Sequence, residues 1–85
     1  MIVHLHRSFK KKYKRLTESQ KKKFKERRNL FLMDEFNSIL NNHALSGRYS
    51  GYRSINITGD LRVLYKRDGN FVIFVTIDTH SNLYG

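Results

Sequence analysis

The spacing of apolar residues changes character once along this chain, and that change decides which class of fold is open to it. From Phe9 to about Leu40 they recur at helical intervals, and from Tyr52 they alternate with a period of two. Helices followed by a run of strands make an α+β domain, with the helices gathered on one face of an antiparallel sheet. The turns allow the register to be argued. If Thr58-Gly59-Asp60 is a three-residue loop, Ile57 lies opposite Leu61 and Ile55 opposite Val63. If Asp68-Gly69-Asn70 is another, Tyr65 lies opposite Ile73 and Val63 opposite Val75. One face then collects Ile55, Ile57, Leu61, Val63, Tyr65, Ile73, Val75 and Ile77. On this reading, a slip of one residue sets apolar positions opposite polar ones.

In the first half, Val3 and Leu5 alternate with His4 and His6, which predicts a short strand with one buried face. Ser8 is placed to cap a helix on which Phe9, Tyr13 and Leu16 form an apolar stripe, flanked by Lys10, Lys11, Lys12, Lys14 and Arg15. Thr17 or Ser19 can cap a second helix running to about Leu40. Leu32, Phe36, Ile39 and Leu40 are expected inward on it, with Lys21, Lys22, Lys23, Lys25, Arg27 and Arg28 outward. The expected architecture is an N-terminal strand and a basic helical hairpin packed on a small antiparallel sheet. With 85 residues this is a single domain, residues 1–85.

Several classes are excluded early. Without cysteine there is neither a disulfide framework nor a thiolate metal site. The apolar runs are too short for a bilayer and the first residues do not read as a signal peptide, so the expectation is a soluble cytoplasmic protein without a membrane partner. Residues 1–40 hold twelve Lys/Arg against four carboxylates, and residues 41–85 five against three, within a net charge of +10. An excess this concentrated draws polyanions, so RNA, DNA, the ribosome or an acidic protein are the natural partners. A solvated helical face is the plainer reading of such lysine runs.

The sheet face away from the helices is where chemistry is expected. The derived register makes Asn56, Arg62 and Thr76 cross-strand neighbours, with Asp78 and His80 continuing along the same side of the last strand. Leu64, Val72 and Phe74 share that face further along, whereas His43 and Asp60 fall in loops. If the polyanion is an RNA strand to be cut without a metal, the face needs a base for the 2′-OH, a cation for the crowded phosphorus and an acid for the leaving 5′-oxygen. Here His80 suits the acid, Arg62 the phosphate clamp, and His43 with Asp60 the base and its orienting partner. Tyr84 can stack on a nucleobase. Each has a plainer reading: His80 as a surface histidine, His43 as a helix terminator, Asp60 as a turn residue, Tyr84 as an apolar plug. Arg53 falls on the core side of its strand and is read as structural. His4 and His6 have metal-like spacing but no acidic or cysteine companion, so no metal site is expected.

The ordered set His43-Ala44-Leu45-Ser46-Gly47, Gly51-Tyr52-Arg53, Gly59-Asp60-Leu61-Arg62-Val63-Leu64-Tyr65-Lys66 and Asp78-Thr79-His80 with Leu83-Tyr84-Gly85 closely resembles the RelE/ParE toxin superfamily. The likeness is strongest to its YafQ-like mRNA interferases and covers essentially the whole chain. It implies a RelE-like fold, ribosome-dependent mRNA cleavage by 2′-OH attack leaving a 2′,3′-cyclic phosphate, and no cofactor. The implied partners are mRNA in the ribosomal A site, ribosomal RNA and a cognate acidic antitoxin. Lys10, Lys11, Lys14, Lys21, Lys22, Lys23 and Lys25 would then contact ribosomal RNA. By the same resemblance His43, Asp60, His80 and Tyr84 fall on catalytic or substrate-contacting positions, and Arg62 where relatives in the wider superfamily place a phosphate-binding arginine. Asn56 stands where a second catalytic histidine is expected and Thr76 where an arginine is expected; with Asp78, these two are the remaining candidate substrate contacts. A ParE-like gyrase inhibitor and a non-catalytic RNA-binding module are the alternatives.

Overall fold

The computed structural model describes residues 1–85. The elements are β1 (Ile2–Leu5), α1 (Arg7–Tyr13), α2 (Glu18–Met33), β2 (His43–Ala44), β3 (Arg53–Asn56), β4 (Leu61–Asp68), β5 (Phe71–Thr79) and α3 (His80–Tyr84). Two short 3₁₀ turns, Ser38–Leu40 and Gly47–Tyr49, flank β2. The five strands form one sheet in the order β1-β5-β4-β3-β2. The expected α+β class holds, with one refinement: β1 joins parallel to β5, so the sheet is mixed. The alternation in β1 marks only a weak buried side, since Val3 is half-buried and Leu5 is exposed.

Both helices start on side-chain caps. Thr17 and Gln20 close a capping box at α2, with each side chain bonded to the other's backbone N–H. At α1 the expected cap is displaced by two residues. His6 Nδ1 accepts from the Ser8 N–H at 3.0 Å, while the Ser8 hydroxyl lies 3.2 Å from Thr76 Oγ1. The stripe on α1 is as expected: Phe9 is buried, and Tyr13 and Leu16 pack beside it.

The second helix ends earlier than its periodicity suggests. It stops at Met33, because Asp34 is extended and Asn37 caps a new turn by accepting from the Ile39 N–H at 3.0 Å. Phe24 and Phe31 are the inward residues of α2, and of the four expected only Leu40 reaches the core. Leu32, Phe36 and Ile39 are 42%, 63% and 56% exposed.

In the sheet, the β3–β4 register is the expected one, with Ile55 opposite Val63 and Asn56 opposite Arg62. The β4–β5 register is not. Asp68 pairs with Phe71 across a two-residue turn in which Gly69 takes φ +56°, so Tyr65 lies opposite Phe74. A bulge then leaves Val75 as the extra residue and sets Leu64 opposite Thr76 and Val63 opposite Ile77. Val72 and Phe74, rather than Ile73 and Val75, therefore enter the core. Arg62 gains Asp78, not Thr76, as its neighbour on β5. The core is strongly aromatic, with the Phe74 ring 5.7 to 6.0 Å from those of Phe31, Phe9 and Phe24.

A polar clamp closes the exit of α2. Tyr65 donates to Glu35 Oε2 at 2.7 Å and accepts from Asn42 Nδ2 at 2.7 Å; Glu35 also pairs with Arg67. Burial pushes the Tyr65 phenol up to about 12. Arg53 donates through Nε to Asn42 Oδ1 at 2.8 Å and lies over the Phe36 ring. This completes its structural role and fixes the residue preceding His43.

Candidate functional site

The site grows from the end of β5. Leu61 pairs with Thr79, and just beyond them the His80 N–H donates to the Asp60 carbonyl at 2.8 Å. The sequence places His80 along the last strand, whereas in the structure the strand ends at Thr79 and His80 opens α3. Thr79 caps that helix, its hydroxyl accepting from the Asn82 N–H at 3.2 Å. His80 and Tyr84, four residues apart on one helical side, bring their rings to 4.8 Å, and both are exposed.

Two anchors fix α3. At its start, Asp78 accepts from the Thr79 N–H at 2.8 Å and from Asn82 Nδ2 at 2.9 Å, and pairs with Lys12 of α1 at 3.1 Å. Burial alone would raise the Asp78 pKa, but these three donors outweigh it and hold the carboxyl below its ordinary value. A depressed carboxylate contributes stability above the ordinary carboxylate range and loses it as pH falls through the folded pKa. Asp78→Asn should therefore unfold more easily than wild type at neutral pH, with the gap closing in urea titrations taken toward pH 3. A gap independent of pH would show that the charge is not what matters. At the other end Leu83 is buried, and its carbonyl accepts from Arg48 Nη2 at 3.0 Å and from the Tyr49 hydroxyl at 3.1 Å.

His43 stands on β2, with β3 and β4 between it and β5. Its Nδ1 lies 2.8 Å from the Asn41 carbonyl oxygen. A carbonyl only accepts, so Nδ1 carries the hydrogen, and in the neutral ring the Nε2 lone pair is left free. Asn41, rather than Asp60, orients this imidazole.

Arg62 lies on the expected side, with Val63 inward, yet its guanidinium is largely occupied. Nη1 donates to the Thr58 and Leu61 carbonyls and Nη2 to that of Gly59, at 2.9 to 3.2 Å. Nε and one Nη2 hydrogen remain free. The other sequence candidates lie apart from His80. Thr76 directs its hydroxyl to Ser8 of α1, and Asp78 divides its carboxylate between Lys12 of α1 and the start of α3. Asn56, whose buried Oδ1 has no partner, lines a cavity of about 340 Å³ with Lys23, Arg27, Thr58 and Gly59. His4 packs on Phe71, His6 caps α1, and no group of three or more His, Asp or Glu side chains is gathered to hold a metal.

Sequence reasoning missed Arg48, Tyr49, Tyr52 and Lys66. The Tyr49 ring meets Tyr84 at 5.7 Å and Tyr52 at 6.3 Å, Arg48 lies over Tyr49, and Lys66 lies 4.7 Å above Tyr52. The available signal was Arg48 and Tyr49 between Gly47 and Gly51, with Tyr52 just after; both glycines have positive φ.

A family model described as bacterial toxin of type II toxin-antitoxin system, YafQ, matches residues 1–85. None of the curated proteins matches the sequence. Among solved structures, YafQ from E. coli strain BL21(DE3) superposes with a TM-score of 0.78 at 22% identity, covering 98% of this chain and 97% of that one. The E. coli DinJ-YafQ complex gives 0.76 at 22% identity, with the same coverage of 98% and 97%. The YoeB-YefM complex from Staphylococcus aureus gives 0.76 at 19% identity, covering 94% of this chain and 97% of that one. At these identities the structural likeness speaks for the fold.

Proposed function

The chain belongs to the YafQ family of bacterial toxins of type II toxin–antitoxin systems, and from that premise we propose that it is an endoribonuclease cutting mRNA in the ribosomal A site. The observation that carries this reading is the exposed His80 imidazole beside the Tyr84 ring on a helix anchored at both ends. In the proposed reaction His43 Nε2 takes the proton of a 2′-OH, which attacks the adjacent phosphorus. The bond to the 5′-oxygen breaks, His80 protonates that oxygen, and a 2′,3′-cyclic phosphate remains. The free N–H groups of Arg62 meet the phosphate, and Tyr84 stacks on a flanking base. Asp60 acts through its backbone, which holds His80. The inhibitor proposed for this toxin is a cognate acidic antitoxin. Purified protein added to ribosomes on a defined message, with cuts mapped by primer extension, tests the reading. Growth arrest without any cut would sink it.

Arg62→Lys keeps the charge but loses the planar fork and its hold on the loop carbonyls. Single-turnover cleavage should fall for Lys and further for Ala, by about 10²-fold or more. Normal cleavage by Arg62→Ala would remove this residue from the reaction.

The helical lysines serve docking in this scheme. Lys10, Lys11, Lys14, Lys22 and Lys25 have no acidic partner, and the pairs Lys21–Glu18 and Lys23–Glu26 are loose at 3.7 Å. Such exposed pairs are worth little and leave the cations available. Replacing Lys21, Lys22 and Lys23 by Glu should weaken ribosome association and flatten its dependence on salt, because fewer counterions are released. An unchanged slope would point this face elsewhere.

A further inference from the structure

Between α3 and the Gly47–Tyr49 turn lies a cavity of about 330 Å³, lined by Leu45, Ser46, Arg48, Tyr49, Leu83 and Tyr84. The Tyr84 ring forms one of its walls and also contacts the His80 ring at 4.8 Å, so the cavity opens one ring away from the proposed acid. We propose that this cavity receives a single unpaired nucleobase of an RNA strand, with Arg48 and Lys66 meeting the strand's phosphates or the base's carbonyl groups. Which base this is relative to the cut rests on the endonuclease reading; the binding itself does not.

The shape is that of a corner. Tyr49 and Tyr84 meet at an interplanar angle of 88° with centroids 5.7 Å apart, so a flat ring that stacks on one presents its edge to the other. The volume is near the lower end of small-molecule sites, roughly 300–1,000 Å³, which admits one base and not a base pair. Leu45 and Leu83 supply apolar surface, and the Ser46 hydroxyl makes no capping bond and stays free to pair with a base edge. Arg48 uses only Nη2 to hold the Leu83 carbonyl and the Tyr49 hydroxyl, which leaves Nε and Nη1 as donors. No carboxylate lines the cavity. Beyond it, Tyr52 with Lys66 above its ring continues the alternation of aromatic and cation, the pattern by which single strands are held without sequence preference.

The test uses a 2′-O-methyl hexanucleotide of mixed sequence, which lacks the 2′-OH nucleophile and survives intact. In amide-resolved NMR titrations at moderate salt, Ser46, Tyr49, Leu83 and Tyr84 should shift along a common binding curve. Ser46→Phe fills the cavity without deleting a hydrogen bond and should weaken binding about tenfold, as should Tyr49→Leu, whereas Tyr49→Phe should bind nearly as wild type. The binding is read on a strand that cannot be cut, so a failure of the cleavage reading leaves this result standing. Wild-type affinity in both Ser46→Phe and Tyr49→Leu, with shifts confined to the lysine-rich helices, would overturn the proposal. So would shifts of these four amides produced by a protein partner and not by the oligonucleotide.

Discussion

His80→Ala is expected to lower cleavage of ribosome-bound mRNA by about 10²–10⁴-fold while leaving ribosome association at the wild-type level. The imidazole is exposed and lies beside the Tyr84 ring, so its removal deletes a group used as the 5′-oxygen departs and few ground-state contacts. The helix survives the change, because its anchors are the His80 backbone N–H, the Asp78 carboxylate and the Leu83 carbonyl. Single-turnover cleavage on saturated ribosomes, with filter binding alongside, separates the two effects. Wild-type cleavage by the Ala variant would end the assignment of His80 as the acid.

Phe74→Ala should lower the stability of the fold more than any surface substitution. The side chain is fully buried, and its ring packs on Phe9, Phe24, Phe31 and Tyr65, joining α1, α2 and β4 through one residue of β5. Truncating a buried phenylalanine costs about 3–5 kcal/mol. At roughly 0.05–0.15 kcal/mol per residue, a domain of this length has about 4–13 kcal/mol in total, so one substitution consumes much of it. Urea unfolding followed by circular dichroism reads this directly. A midpoint close to wild type would mean that the aromatic cluster tolerates a void at its centre.

The parts of the fold that were legible in the sequence are those where alternation was unambiguous. Ile55, Ile57, Leu61 and Val63 alternate with polar residues around a single Gly-Asp turn, and their register and face are as expected. On β5 the run Val72-Ile73-Phe74-Val75 is apolar on both sides, so alternation could not choose between a two- and a three-residue turn. The bulge at Val75 then restored the face for Ile77. Likewise Phe36 and Ile39 continue a helical period that Asn37 interrupts by capping, a local competition that spacing does not register. In the site, the terminal motif grouped His80 with Tyr84, but Asp60 was read as the partner of His43, and only the fold shows its carbonyl accepting from the His80 N–H. Arg48 and Tyr49 carried only a weak local signal, because their importance lies in bonds to the Leu83 carbonyl, more than thirty positions away.

The parallel pairing of β1 with β5 also governs how the molecule is assembled. Ile2 meets Phe71 and Leu5 meets Phe74, each pair 69 positions apart along the chain. A contact spanning almost the entire chain carries a large loop-closure cost and places folding among the slower mixed topologies. Until β1 arrives, β5 is an open edge presenting Phe71 to Val75, an apolar row suited to pairing with another copy. The short N-terminal strand is thus a guard on that edge, and a chain in which it is undocked is the one open to self-association.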